Sequence, residues 1–429
     1  MSRTRKFAGI AIALGAIVAL SACSPGETSD NPEEVTPLVF QTLETPEEVA
    51  NLQRGIDAWN EEHPTIPVTL ETVAQADATQ TYSRQAAAGE GPDIAQLFLA
   101  QPKQLGANGL ALDVASYYDE DPIGGGLDDA VGIEIVKDGD VVYGVPWTVD
   151  TFALAYHPDL LEDAGIDEFP TTWEDLKSVA KELTGDGVSG FCFPAASTAG
   201  SPLWHLVNMY LQGQSGEAII TVDGDDVETN SESAYADAME YLNGFFTDGI
   251  TPVGLQSAGS GDPVIRQSFA DKTCAISFLD PIMYSGLLAE DGTVRSAPVP
   301  SGDEGLFPRL GGRGLVVNPA TENPDAAWQF IKYLNSEEFY SEYYPNFFPA
   351  HKELLKDLGS GEDDPLAGYA QQLAEAKSYA DYIFSPVPNE ALWLETVGQF
   401  GAVFSGQRTP EEGGTTWKAA VEQLIADNS

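Results

Sequence analysis

The stretch that decides the fold is Tyr143-Gly144-Val145-Pro146-Trp147-Thr148-Val149-Asp150. A hairpin signal precedes it: Asp138-Gly139 lies between Ile133-Glu134-Ile135-Val136 and Val141-Val142-Tyr143, two mainly apolar segments. Glycine tolerates the positive φ that a tight hairpin turn requires. Residues 152–156, which follow the stretch, are typical of a buried strand. The sequence therefore predicts that the stretch is a connector between strands.

Two side chains of this connector, Trp147 and Asp150, place a flat apolar ring near an ionised acceptor. A sugar offers an apolar C–H face together with hydroxyl donors, so this pair of side chains suits a polyol ligand. Packing in the core is the alternative for Trp147, because large aromatic rings are highly buried on average.

The length and charge of the chain limit the possible architectures and partners. With 429 residues it is too long for one ordinary core, so two lobes or domains are expected. The formal net charge is −47. A field of that sign repels polyanions, which excludes nucleic acid as a partner. The charge permits a cationic ligand without requiring one, and a solvated acidic surface accounts for it equally well.

The N-terminus has the pattern of an export signal. Three basic residues precede an apolar run at residues 7–20, which is too short to span a bilayer. Leu20-Ser21-Ala22-Cys23 resembles the bacterial lipobox, in which the cysteine is lipidated and becomes the first mature residue. Ordinary secretion with an incidental cysteine is the alternative. We predict a signal peptide at residues 1–22 and a flexible, lipid-anchored tether at residues 23–36, which holds the protein at the extracytoplasmic face of the bacterial cell membrane.

The other two cysteines, Cys192 and Cys274, lie in apolar, strand-like runs. Export makes a disulfide between them possible, and two buried thiols are the alternative. The pair does not match a metal site, and the sequence predicts no metal and no cofactor.

Strands and helices alternate through most of the chain. Strands are predicted at residues 38–40, 67–70 and 93–98, and the first helix begins at Thr45-Pro46 with a capping residue followed by proline. This alternation predicts a mostly parallel sheet covered by helices. A second α/β unit follows Asp150, and later helices are predicted at residues 365–379, 390–404 and 417–426.

The order and spacing of several motifs resemble the family 1 extracellular solute-binding proteins of ATP-binding-cassette importers, the group that contains the maltose-binding protein. The motifs are Gly91-Pro92-Asp93-Ile94, Gly144-Val145-Pro146-Trp147 with Asp150, residues 156–165 followed by Thr171-Thr172-Trp173, Phe269-Ala270-Asp271-Lys272, and Gly311-Gly312 before a strand. The resemblance extends from about residue 38 to residue 425.

This resemblance implies a periplasmic-binding-protein-like α/β fold, with two discontinuous lobes around a central cleft and a hinge. The N-terminal lobe is expected to comprise residues 37–148 and 311–354. The C-terminal lobe is expected to comprise residues 149–310 and 355–429.

The resemblance also implies ligand contacts. Asp150 falls at an acidic sugar contact of the family, and Trp393 falls where the family stacks a tryptophan on the sugar. The complete expected set is Glu44, Gln101, Trp147, Asp150, Trp204, Tyr284, Gly312, Arg313 and Trp393.

Two departures from the family pattern bear on specificity. After the third strand the family places an aromatic and an acidic residue, whereas this chain has Leu97-Phe98-Leu99-Ala100-Gln101. In addition, Ile282 replaces a family tryptophan beside Tyr284. We therefore expect a saccharide other than maltose.

Arg313 follows two glycines that allow close approach of the backbone, and its planar guanidinium suits two adjacent sugar hydroxyls. An ion pair between the lobes is the alternative.

Together these features predict a substrate-binding lipoprotein that captures a carbohydrate, expected to be an oligosaccharide, and delivers it to the transmembrane subunits of an importer. The protein is expected to be a monomer and not an enzyme. The same scaffold binding a peptide or polyamine is one alternative, a lipid-anchored glycosidase is another, and a purely structural surface protein is the third. The sequence contains no G-x-S-x-G, H-E-x-x-H or P-loop motif.

Overall fold

A computed structural model describes residues 35–198, 201–223, 226–259, 262–345, 347–358, 361, 364–375, 385 and 387–428. The predicted export signal, Cys23 and nearly all of the predicted tether lie outside the described residues.

The strands of the described residues are β1 (Leu38–Thr42), β2 (Val68–Thr72), β3 (Ile94–Phe98), β4 (Lys137–Asp138), β5 (Val141–Val142), β6 (Val145–Asp150), β7 (Ala153–Tyr156), β8 (Ser189–Cys192), β9 (Ile220–Asp223), β10 (Asp226–Thr229), β11 (Cys274–Leu279), β12 (Arg295–Ala297), β13 (Gly311–Val317) and β14 (Phe348–Pro349).

The helices are α1 (Pro46–Glu62), α2 (Ala78–Ala87), α3 (Gln101–Ala107), α4 (Ala115–Glu120), α5 (Ile133–Val136), α6 (Pro158–Asp163), α7 (Trp173–Glu182), α8 (Leu203–Ser215), α9 (Glu232–Thr247), α10 (Pro263–Ala270), α11 (Pro281–Glu290), α12 (Pro324–Leu334), α13 (Glu337–Tyr343), α14 (Lys352–Leu358), α15 (Ala367–Glu375), α16 (Asn389–Phe404) and α17 (Pro410–Asn428).

A six-stranded sheet organises the first lobe, in the order β14-β6-β13-β3-β1-β2. Strands β1, β2 and β3 are parallel, as the alternation of strands and helices predicts. Strand β13 returns from a later part of the chain and runs antiparallel to both β3 and β6. The sheet is therefore mixed, because its central strand is supplied by a distant segment.

A four-stranded sheet, in the order β12-β7-β11-β8, organises the second lobe. The chain passes from the first sheet to the second between β6 and β7 and returns between β12 and β13. A third crossing follows α14, which packs on β14, and leads to α15, which packs on β12. Each lobe is thus assembled from separate parts of the chain.

Residues 145–150, which the sequence predicts to be a connector between strands, form the strand β6. Residues of β6 pair with β13 on one side and with β14 on the other. Every residue of β6 except Asp150 is buried, as expected for a strand that is covered on both faces of its sheet. The pairing of Asp150 with Gly311 also shows that the first sheet continues past residue 148.

The hairpin before it is shorter than the sequence predicts. The predicted turn is confirmed, since Gly139 lies between β4 and β5 and has a φ of 58°. However, Ile133–Val136 forms the short helix α5 instead of a strand. A brief apolar run does not distinguish a buried strand from a buried helical turn, and here Gly132, with a φ of 85°, starts the helix.

Several predicted helix starts are confirmed. The hydroxyl of Thr45 accepts a hydrogen bond from the backbone N–H of Glu48, and Pro46 occupies the first turn of α1. The final helix begins at Pro410 rather than at Trp417. The part of the predicted helix 365–379 beyond residue 375 lies outside the described residues.

A disulfide joins Cys192 in β8 to Cys274 in β11. The two strands are parallel neighbours, and both cysteines are fully buried in the second lobe. The sequence left open a disulfide and a pair of thiols, and the structure contains the disulfide.

Replacing both cysteines by alanine should lower the free energy of unfolding by about 2–5 kcal/mol, since the bond closes a long loop in the unfolded chain. The two cysteines are separated by 82 positions. Urea unfolding of the double variant and of the unaltered protein, each with and without reductant, measures the loss. Equal stability of the oxidised protein and the double variant would contradict a stabilising role.

Candidate functional site

Two cavities lie between the lobes, on either side of the segment that leads into β13. The larger, of about 740 Å³, is bounded by β6 and β14 of the first lobe and by the start of α11 of the second. The smaller, of about 230 Å³, is bounded by the end of β3, the start of β13 and the helices α8 and α16. Their positions identify the interlobe cleft as the candidate binding site.

Arg313 lines both cavities. A hydrogen-bond relay within the first lobe, formed by Arg313, Glu44 and Gln96, holds its side chain in place. Its Nε donates to Oε1 of Glu44 at 3.1 Å, and the same oxygen accepts from Nε2 of Gln96 at 2.6 Å. The guanidinium carbon lies 4.8 Å from the centre of the Phe98 ring. Because the Glu44 side chain is only 3% exposed, this carboxylate lies behind Arg313 and orients it.

This relay decides between the two interpretations of Arg313. The ion pair exists, but it joins two segments of the first lobe instead of the two lobes. The guanidinium also faces the cleft, as predicted. Glu44, predicted as a ligand contact, lines neither cavity.

Gly312 allows β13 to approach β6 closely. It has a φ of 131°, and a Cβ added there would lie 2.0 Å from the carbonyl oxygen of Thr148. A side chain at this position would separate the two strands, so glycine is needed where Arg313 enters the cleft.

Asp150 lines the larger cavity and forms an ion pair with Arg309. The guanidinium carbon of Arg309 lies 5.8 Å from the centre of the Phe152 ring. Asp150 ends β6 and Arg309 precedes β13, so the ion pair joins the two segments that cross between the lobes. The acidic residue predicted as a sugar contact therefore reaches the cleft already paired with a cation.

An aromatic wall from the second lobe lines the smaller cavity. Trp393, on α16, stacks on Trp204 of α8 with ring centres 6.0 Å apart, and His205 meets the Trp393 ring edge-on at 5.5 Å. The indole N–H of Trp393 is buried without a hydrogen-bond partner among the described residues.

His205 completes this wall as a neutral ring. Burial lowers the pKa of His205 to about 3, so the imidazole is uncharged at neutral pH and carries one donor and one acceptor nitrogen. Its ring stacks on Phe152, with centres 5.0 Å apart.

The first lobe presents an opposing aromatic surface. Phe98, at the end of β3, is 36% exposed, which is unusual for a phenylalanine, and it lines the smaller cavity. Phe347 and Phe348 line the larger cavity, and of these Phe348 is also part of the core.

The structure contradicts the predicted ligand contact at Trp147. The indole is fully buried, its N–H donates to the carbonyl oxygen of Leu334 at 2.8 Å, and it stacks on Tyr344. The side chain belongs to the core of the first lobe because it points away from the cleft along β6.

Two other expected contacts are also absent from the cleft. Tyr284 is fully buried and its hydroxyl donates to the carbonyl oxygen of Pro365 at 2.6 Å, whereas Ile282 and Met283 of the same helix line the larger cavity. Gln101 lines neither cavity, although Ala100 beside it lines the smaller one. In both cases the cleft is lined by a near neighbour.

Sequence reasoning missed several residues of the cleft. The signals available for Arg309 and Phe98 were their positions just before β13 and at the end of β3. No local signal indicated His205, because its role depends on the packing of α8 against α16. The missed residues include Phe98, Phe152, His205, Arg266, Met283, Arg309 and Asn389.

Within the described parts of the chain, no group of three or more histidine, cysteine or acidic side chains is arranged to bind a metal ion. None of the helices in the described residues is both long enough and apolar enough to span a membrane.

The profile of the family described as bacterial extracellular solute-binding protein matches residues 44–339. The maltodextrin-binding protein MdxE of Bacillus subtilis is 24% identical over 389 residues, covering 87% of this chain and 85% of the relative. A maltooligosaccharide ABC transporter solute-binding lipoprotein of Streptococcus pneumoniae is 24% identical over 361 residues, covering 80% of this chain and 78% of the relative.

A solved structure shows the same fold. The sugar-binding protein MalE of Xanthomonas citri superposes with a TM-score of 0.77 at 19% identity, over 91% of this chain and 98% of that one. The two-lobed, periplasmic-binding-protein-like α/β fold that the sequence motifs imply is therefore confirmed.

Replacement of Trp147 by alanine should lower the free energy of unfolding by about 3–5 kcal/mol, the usual cost of removing a large buried ring. Urea unfolding followed by far-UV circular dichroism measures this loss. Unchanged stability combined with a loss of ligand binding would contradict the core role and would show that Trp147 contacts the ligand.

Proposed function

Because the chain belongs to the bacterial extracellular solute-binding proteins, we propose that it captures an oligosaccharide in the interlobe cleft and delivers it to the permease of an ATP-binding-cassette importer. The relatives described above are named for maltodextrin and maltooligosaccharide, which supports a carbohydrate as the ligand class.

The observation that carries this proposal is the pair of aromatic surfaces on opposite sides of the smaller cavity. Phe98 comes from the first lobe and Trp393 from the second. Sugar rings have apolar C–H faces, and aromatic side chains from two lobes bury such faces while the cleft closes.

Polar groups beside these rings suit sugar hydroxyls. Arg313 has donors whose direction is set by its hydrogen bond to Glu44, and Asp150 supplies acceptors. A hydroxyl left unpaired in a closed site costs about 1–3 kcal/mol, so the positions of these groups provide selectivity.

The binding mechanism requires no covalent step. A ligand that contacts both lobes gains all of its contacts only when the cleft closes, and it therefore shifts the population towards the closed form. The crossing segments next to Asp150 and Arg309 are the expected hinge. The closed form would be the one that the permease recognises.

The remaining features of the proposal concern location and assembly. Membership of an extracellular solute-binding family supports a location outside the cytoplasm. We propose that lipidation of Cys23 anchors a monomer to the membrane, near the transmembrane subunits that receive the ligand.

The charges of the cleft disfavour the alternatives. The larger cavity is lined by three arginines together with the carboxylates of Asp150 and Asp280, so it offers no excess of negative charge to a polyamine ligand. The Asp150 carboxylate and the Glu44 carboxylate behind the cleft are both paired with arginine. This pairing fits recognition better than the acid and base pair of a glycosidase.

A thermal-shift screen of the protein against maltose, maltotetraose, arabinotriose and spermidine tests the proposal. We expect an oligosaccharide to raise the unfolding temperature and spermidine to have no effect. Stabilisation by spermidine alone, or the appearance of new reducing ends during incubation with maltotetraose, would refute the proposal.

Trp393→Ala should weaken oligosaccharide binding by about 30-fold or more, as expected when an aromatic anchor is removed. Titration calorimetry with the best ligand of the screen measures the change. Leu394→Ala is the matched control, because Leu394 lies on the same helix, is 43% exposed and lines neither cavity. Equal affinities of the two variants would show that Trp393 is not the stacking surface.

A further inference from the structure

The two cavities of the cleft share only two lining side chains, Arg309 and Arg313. These arginines stand between a space of about 740 Å³ and one of about 230 Å³. The larger volume lies within the usual range of ligand pockets, about 300–1,000 Å³, and the smaller lies below it. A ligand that occupies both spaces must therefore pass the two arginines.

The two arginines are held to different degrees. The side chain of Arg313 is 14% exposed and pairs with a Glu44 carboxylate that is 3% exposed and bonded to Gln96. The side chain of Arg309 is 26% exposed, and its Asp150 partner is 32% exposed. The Arg313 side chain is therefore the more firmly held of the two, because its partner is buried. The Arg309 side chain is held by an ion pair that is exposed to the cleft.

A glycine shapes the position of Arg309. A Cβ added to Gly311 would lie 2.4 Å from one terminal nitrogen of the Arg309 guanidinium and 2.5 Å from its central carbon. The guanidinium therefore lies folded over Gly311, between Asp150 and the Phe152 ring. Only a residue without a side chain leaves room for this arrangement.

The Arg309 side chain separates the groups of the larger cavity that suit a sugar from those of the smaller cavity. Asp150 lines the larger cavity, and Trp393 and Phe98 line the smaller one. A short saccharide can use one set, but a longer one that uses both must displace Arg309 from Asp150.

We propose that Arg309 is a specificity-determining residue that separates two sugar subsites and disfavours saccharides long enough to span them. The inference rests on the proposed function, because it concerns the length of the ligand in the same cleft. Displacing Arg309 costs the longer ligand the ion pair with Asp150, whereas a short ligand leaves that pair intact.

The test compares dissociation constants for the di- and tetrasaccharide of the maltose series and of the arabinose series, measured by titration calorimetry. For Arg309→Ala we expect the affinity ratio of tetrasaccharide to disaccharide to rise by up to about fivefold, the largest usual effect of a partly exposed ion pair. The ratio cancels any sugar contact of Arg309 that both ligands share.

Gly311→Ala provides a second variant, because its methyl group displaces the guanidinium without changing any charge. We expect the same direction of change in the affinity ratio. Arg295→Ala is the matched control: Arg295 donates to the carbonyl oxygens of Gly292 and Val294 and lines neither cavity, so its ratio should equal that of the unaltered protein.

The outcomes separate the two proposals. An unaltered protein that binds neither series overturns the proposed function and this inference with it. A protein that binds a saccharide, but whose affinity ratio is the same in Arg309→Ala, Gly311→Ala and Arg295→Ala, overturns the inference alone. Thermal unfolding of each variant confirms that the comparison is made between folded proteins.

Discussion

The structure depends on the insertion of β13 between β3 and β6. This strand comes from a late part of the chain, and its pairing places Gly311 opposite Asp150, where the first crossing segment leaves the sheet. The two crossing segments are therefore neighbours, and Arg309 and Arg313 flank the pairing point. Close contact at Gly312 makes this possible, since any side chain there would meet the backbone of β6. The hinge and the centre of the cleft are consequences of one strand pairing.

The charge balance of the cleft differs from that of the whole chain. The chain has 67 acidic and 20 basic residues, yet three arginines line the larger cavity. All three are paired with carboxylates, Arg266 with Glu290, Arg309 with Asp150 and Arg313 with Glu44, which leaves directed hydrogen-bonding groups with little net charge. A site of this kind can recognise a neutral polar ligand within a strongly acidic protein, because short-range hydrogen bonds rather than the distant surface charges determine what it accepts.

The errors in the predicted site have a common cause. Trp147 and Tyr284 lie where the resemblance to the family implies ligand contacts, but both rings are fully buried in the hydrophobic core. Along a strand, adjacent side chains point to opposite faces, so a motif can be correct while the residue assigned to the ligand is not. At the start of α11, the neighbours Ile282 and Met283 reach the cavity instead of Tyr284. Gln101 shows the same displacement relative to Ala100, which lines the smaller cavity.

The sequence by itself determined the local structure and the fold family. Helix starts such as Thr45-Pro46, the turn at Gly139 and the order of the motifs are encoded by residues close together in the chain, where capping, φ preference and apolar periodicity act. Only the tertiary structure decided which side chains line the cleft. The pairing of Arg313 with Glu44, of Arg309 with Asp150, and the packing of His205 against Trp393 join segments far apart in sequence. Such contacts depend on how strands and helices are placed in space, and no local pattern records that placement.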